Sequence, residues 1–257
     1  MKRAVIVYAG LADGLYYMES NTVTTKEGGA SLIERLFRAG AHYGFSKSRR
    51  HPTVMPYLFG NKQGTDIFDL EKTSALLTDA KAYLTELGAA GKQVLFVGTK
   101  DEIKDIVAAK ALTLSMPSVT NRWIGGTLTN FPEIQKRLKH LATLRTEHES
   151  GELERKYTKK EHLLLTREID KLAFNFGGIA TMERLPGVLV VVDPRHEATA
   201  LREARQLGIP VVAIMSSDCA CDGITKPVFV NDAHRASVTL ALDELAAGYT
   251  DGIGKAG

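Results

Sequence analysis

The chain has 257 residues, 44% of them hydrophobic and 25% charged, which suits one large soluble domain or one domain with an insertion and excludes disorder of the whole chain. Lysine and arginine exceed aspartate and glutamate by 33 to 30; a net charge of +3 does not announce nucleic acid by itself, so any phosphate-binding surface must come from how the charges are distributed. Cys219 and Cys221 are the only cysteines and stand one residue apart, which suits no disulfide framework and fits a reducing cytoplasm.

Residues 1–30 hold one candidate strand, "AVIV", and the polar, glycine-bearing "ESNTVTTKEGG", and read as an N-terminal extension. Glycine and aspartate break the first apolar run before it reaches the length of a signal-peptide core, and no window approaches the roughly 18 apolar residues of a membrane span. Ser31 and Glu34 form a capping box for a helix with Leu32, Leu36 and Phe37 on one face and Gly40 as its stop. In "YGFSKSRRHPTVMPYLFGNKQG", residues 43–64, the cationic or ionisable Lys47, Arg49, Arg50, His51 and Lys62 interleave with Tyr43, Phe45, Tyr57 and Phe59, and no acid interrupts them. Pro52 and Pro56 predict a loop here.

From residue 65 the pattern changes. "TDIFDL" reads as a strand and "EKTSALLTDAKAYLTELGAAG" as an amphipathic helix closed by glycine. "KQVLFVGT", "PSVT", "GVLVVVDP" and "IPVVAIMS" read as strands; "KDEIKDIVAAKALTL", "RHEATALREARQLG" and "VNDAHRASVTLALDELAAGY" read as helices. Apolar strands alternating with helices predict an α/β fold, a parallel sheet covered on both faces. Residues 31–250 form that domain and 251–257 a C-terminal tail. Residues 131–178 interrupt it without a strand. Ile134, Leu138, Leu141 and Leu144, then Leu163, Leu164, Leu165, Ile169 and Leu172, recur at helical spacing on either side of Gly151. Two antiparallel helices of about four turns would project roughly 25 Å as a hairpin arm.

Catalytic signatures are scarce. "GTKDE" after the second strand is neither the glycine fingerprint of dinucleotide binders nor the phosphate cradle of nucleotide hydrolases. In "VVVDPRHE", Asp193 and Pro194 read as the start of the next helix. There is no nucleophile elbow and no paired-histidine zinc motif. A zinc set of Asp218, Cys219, Cys221, Asp222 and His234 is spaced poorly for a metal, and the two thiols read better as small core side chains. We therefore expect no enzyme, no cofactor and no metal; the competing reading is an α/β enzyme or nucleotide binder with an unrecognised motif.

The basic segment is more specific. Binding to unpaired RNA needs cations on one surface, free of acids, with rings or guanidinium planes that stack on bases. "VTNRWIGGTLTNF", residues 119–131, adds Arg122 beside Gly125 and Gly126, with Trp123 equally suited to plug the core or to stack outside. The arm adds Lys136, Arg137 and Lys139. The candidate RNA-binding residues are thus Lys47, Arg49, Arg50, His51, Lys62, Arg122, Lys136, Arg137 and Lys139.

Taken in order, "GAHYG", "RRHPTVMPYLFG", "DIFDLEKT", "VLFVGTK", "NRWIGGTLTNF", "LPGVLVVVDPRHEATALREARQLGIPVVAI" and "ND" at 231–232 resemble the signatures of bacterial small-subunit ribosomal protein two. The resemblance covers about residues 31–250. It implies a flavodoxin-like parallel sheet flanked by helices, with a protruding antiparallel helical hairpin. It further implies a non-catalytic, cytoplasmic component of the small subunit near the junction of head and body, in contact with ribosomal RNA and neighbouring ribosomal proteins, and in many bacteria with ribosomal protein one. It makes "NRWIGGTLTNF" a structural corner where sheet gives way to hairpin, with polar contacts outward. Arg50 and His51 stand where the family commonly has a tryptophan–asparagine pair, and Thr53 and Met55 where lysines commonly follow, so stacking on that tryptophan does not carry over. Arg50 offers a cationic plane in its place.

Overall fold

A computed structural model describes residues 30–256, so the expected N-terminal extension lies outside the described residues except for Ala30. Helix α1 (Leu32–Arg38) starts on the expected capping box, with Ser31 accepting from the Glu34 N–H and Glu34 reaching back to the Ser31 N–H. It buries Leu36, while Phe37 faces outward and stacks on His42 at 4.7 Å between ring centres.

Residues 43–64 depart from the expected loop and pair with residues 65–68. Together they form β1 (Tyr43–Ser46), β2 (Leu58–Lys62) and β3 (Thr65–Phe68), an antiparallel sheet with β3 in the centre. Two 3-10 turns, Lys47–Arg49 and Pro52–Tyr57, connect β1 to β2. Proline is compatible with the second turn because Pro52 occupies its first position, where an N–H has no partner in any case. "TDIFDL" is thus a strand as expected, but of this small sheet rather than the parallel one.

The parallel sheet contains β4 (Val94–Val97), β5 (Ser118–Val119), β6 (Val188–Val192), β7 (Val211–Met215) and β8 (Lys226–Phe229), in the order β5-β4-β6-β7-β8. That is the flavodoxin-like order, second-first-third-fourth-fifth. No strand is expected at β8, because Pro227 argues against a strand interior; the position is tolerated because β8 lies at the sheet edge. Alternate residues feed two cores. Val94, Phe96, Val188, Val190 and Val192 pack beneath α1, α2 (Leu70–Ala89), α3 (Lys104–Thr113) and α8 (Arg235–Ala256). Leu95, Val97, Leu189 and Val191 pack with Phe68, Trp123 and α7 (Ala198–Gln206).

Residues 131–178 form α4 (Phe131–Glu149), the short α5 (Glu152–Lys156) and α6 (Lys159–Phe176). His140 meets Glu168 at 3.2 Å and His148 meets His162 at 5.9 Å between ring centres, so α4 and α6 run antiparallel. Ile134, Leu138, Leu141, Leu144, Leu172 and Phe176 join the same core as the sheet face. The pair is therefore not packed on itself alone. Leu163 and Leu164, expected on the stripe, are exposed. The expected tail is also corrected: residues 251–256 continue α8. Gly252 does not end the helix; it lets α8 approach α2, since a Cβ there would stand 2.1 Å from the Thr85 carbonyl oxygen. No helix of the described residues is long and apolar enough to cross a membrane.

Candidate nucleic-acid interface

The small sheet carries the densest group of expected RNA ligands and divides it. On β3, Asp66 and Phe68 point inward while Thr65 and Ile67 are only half-buried. Asp66 is fully buried and receives a two-pronged guanidinium contact: Arg50 Nε donates to Oδ2 at 2.7 Å and a terminal nitrogen donates to Oδ1. Asn61 Nδ2 donates to Oδ1 at 3.0 Å. Burial opposes the Asp66 charge, yet the hydrogen bonds from Arg50 and Asn61 outweigh it and hold the carboxyl below its ordinary range. Arg50 is thus not the outward cationic plane expected from the sequence. It neutralises a buried carboxylate, and removing it would leave that charge uncompensated at a cost of about 3–5 kcal/mol. The acid that cancels it lies two residues beyond the acid-free window and was invisible in a linear reading.

His51 is a turn residue rather than a free ligand. Its Nδ1 lies 2.8 Å from Thr53 Oγ1 at the head of the second 3-10 turn, and its N–H donates to the Ser217 carbonyl. Lys47, Arg49 and Lys62 remain exposed. Ser46 and Lys62 both stand level with Thr65, and the Lys47 N–H donates to the Gly64 carbonyl at 2.8 Å. The backbones of Lys47 and Lys62 are therefore about two strand spacings, roughly 10 Å, apart at one end of the sheet. Arg49 stacks over Phe45 at 4.8 Å and has only a long contact, 3.9 Å, to Asp218. Phe59 on the same sheet is two-thirds exposed. Arg137 and Lys139 are exposed on α4, where Lys136 is engaged with Glu133 at 2.6 Å.

Arg122 is exposed on the loop after β5 and lines an open groove of about 390 Å³ with Thr99, Asn121, His196 and Thr199. The groove sits at the carboxyl end of the sheet, where strand order reverses between β4 and β6, the usual ligand position in such folds. Its acid, Glu197, is buried and accepts from the Thr99 N–H at 2.8 Å and the Thr99 hydroxyl at 2.5 Å, so it closes the loop after β4.

The loop 121–130 turns Trp123 and several backbone N–H groups inward, while Asn121, Arg122 and Asn130 stay exposed. Trp123 is buried, and its Nε1 donates to Glu203 Oε1 at 3.0 Å. The same oxygen accepts from the Gly126 N–H at 2.8 Å. Glu203 Oε2 accepts from the N–H groups of Leu128 and Thr129 at 2.9 and 3.1 Å and from the Thr129 hydroxyl at 3.2 Å. One buried carboxylate on α7 thus gathers five donors. Burial works against its charge, but the bonds from Trp123 and the three N–H groups prevail and depress its pKa. Gly126 takes a positive φ of 89°, which brings its N–H to the carboxylate. The only signal for Glu203 in the sequence was a charge sharing a helix face with Ala200 and Ala204.

A second cluster stands at the ends of β4, β6, β7 and β8. Asp193 has a positive φ of 58° and its Oδ1 accepts from the N–H groups of Arg195 and His196. It forms a turn ahead of α7 rather than capping it, because α7 begins only at Ala198. Lys100 pairs with Asp193 and stands 3.8 Å from Asp232. Cys219 Sγ lies 3.6 Å from Asp193 Oδ1. The zinc set considered from sequence is not assembled: His234 Nδ1 bonds the Ala39 carbonyl and the Cys221 N–H bonds Thr53 Oγ1. Burial drives the Asp232 carboxyl up to about 7, while burial and three neighbouring aspartates push the Cys219 thiol up.

The family model described as ribosomal protein S2 matches residues 36–252. The chain belongs to the ribosomal protein S2 family. It is 43% identical over 220 residues to the small ribosomal subunit protein uS2 of Roseiflexus sp. (strain RS-1), covering 86% of this chain and 84% of that protein. It is 38% identical over 221 residues to uS2 of Chloroflexus aggregans, covering 86% and 92%. A uS2c protein of Emiliania huxleyi is 38% identical over 220 residues, covering 86% and 96%. The S2 family is structural and non-enzymatic. That agrees with a strand-end groove whose carboxylate is spent on closing a loop.

Proposed function

We propose that this chain is a structural component of the small ribosomal subunit that holds ribosomal RNA through the exposed end of its small antiparallel sheet. Lys47, Arg49 and Lys62 supply the charge there, and Phe45 and Phe59 supply aromatic surface on which unpaired bases stack. The observation that carries this reading is the division of the basic segment: Asp66 takes Arg50 out of use, and three other cations stay open to solvent on one short sheet and its connecting turn. Arg122 at the strand-end groove, with Arg137, Lys139 and Lys136 on α4, extends the contact to further phosphates. The relatives named small ribosomal subunit protein uS2 support a seat in that particle.

The finer placement is part of the same proposal. The chain works in the cytoplasm, without a membrane partner, near the junction of head and body, where α4 and α6 form a projecting arm toward neighbouring ribosomal proteins. Its outer face helps recruit ribosomal protein one. Purified chain is expected to co-sediment with small subunits lacking it at low salt and to be stripped by high salt. Retention that is indifferent to salt, or no co-sedimentation at all, contradicts the proposal.

A further inference from the structure

The strand-end cluster is not used by the RNA-binding reading, and its charges do not balance. Asp193 follows β6, Cys219 follows β7 and Asp232 follows β8, so the parallel sheet brings three loops far apart in sequence to one point. One donor atom from each lies within 4.8 Å of the others. All three residues are buried. Two carboxylates face one ammonium, that of Lys100, and it is committed to Asp193. Its 3.8 Å approach to Asp232 is too long for a hydrogen bond. Both Asp232 carboxylate oxygens are fully buried without any hydrogen-bond partner. A buried group of that kind carries a large desolvation cost unless something else meets it.

We propose that Asp193, Cys219 and Asp232 form a site for a divalent cation of the zinc class. The donor set selects the metal: one thiolate with two carboxylates suits a borderline-soft cation better than magnesium or calcium, which take oxygen alone. The geometry agrees. With zinc–sulfur and zinc–oxygen bonds of about 2.3 and 2.1 Å, a tetrahedral site sets sulfur and oxygen about 3.6 Å apart. Cys219 Sγ and Asp193 Oδ1 already stand at 3.6 Å. Charge agrees as well: a dication with one thiolate, two carboxylates and the Lys100 ammonium sums to zero. Lys100 moves off Asp193 when the metal enters, and its partial exposure gives it room to do so. The fourth position is left for water or for Asp218, whose Oδ1 is 3.6 Å from the same sulfur. Binding releases the thiol proton, and the metal ties the ends of β6, β7 and β8 together.

The test uses the full-length protein, stripped of metal and titrated with zinc against a chromophoric chelator. One zinc per chain is expected. Cys219→Ser and Asp232→Asn should each weaken binding at least tenfold, whereas Cys221→Ser should leave it unchanged and Lys100→Met should leave it unchanged or tighten it. Cobalt(II) bound to the unsubstituted chain should show a thiolate-to-metal charge-transfer band, and this readout does not depend on any variant folding. No stoichiometric zinc, a cobalt spectrum without the thiolate band, or full binding by folded Cys219→Ser would each overturn the site and leave Asp232 as a protonated carboxyl beside Lys100.

Discussion

Glu203 illustrates how much of this structure rests on single buried carboxylates. It holds a loop of ten residues through five donors, including the indole of the only tryptophan. Because folding depresses its pKa, its contribution to stability is fully present above its ordinary value of 4.5 and is lost as pH falls through the lower folded value. Glu203→Gln should cost about 3 kcal/mol at pH 7 in urea denaturation, on the scale of charge-assisted hydrogen bonds that are lost while their donors stay buried. The gap between the two proteins should close as pH falls below 4.5; a gap constant from pH 7 to pH 3 contradicts the assignment. Arg50 and Asp66 teach a related lesson at shorter range. Arg50 looks like an RNA ligand among Lys47, Arg49 and Lys62, and only the pairing of β3 with β1 and β2 shows that it belongs to the interior.

At the scale of elements, periodicity carried most of the reading. Strands β4, β6 and β7 are continuous apolar runs because both sheet faces are covered, and such runs are legible without any partner. The capping box at Ser31 likewise marks a helix start locally. What failed was structure decided by distant neighbours. Two prolines concealed β1 and β2, one proline concealed β8, and Gly252 concealed the last residues of α8. Gly252 has a measurable reason. Helix propensity alone favours Gly252→Ala by up to about 1 kcal/mol, but the new methyl group would press on the Thr85 carbonyl across the α2–α8 contact. We expect a net loss of about 1–3 kcal/mol in urea denaturation, as for overpacked cores. A neutral or stabilised variant would mean that α2 and α8 are not closely packed there.

At the scale of the whole molecule, a flavodoxin-like sheet carries two additions, the small antiparallel sheet and the α4–α6 pair. The fold class was legible because strand and helix patterns alternate; the family was legible because its short strings occur in order along the chain. The interface was only half legible. Linear charge density pointed to residues 43–64, but which cations remain free depends on Asp66, Asp218 and the turn that occupies His51. With Arg50 and His51 engaged, Lys47, Arg49 and Lys62 are the expected ligands of the basic segment that stay exposed. Replacing Lys47, Arg49 and Lys62 together with alanine should leave the melting temperature nearly unchanged, since all three are exposed. The most direct measurement is the salt dependence of association between purified chain and small subunits lacking it. The triple variant should bind more weakly, with a log–log slope shallower by about 2, as expected for three lost contacts to single-stranded RNA. An unchanged slope, with both proteins folded, would contradict the placement of RNA on this sheet.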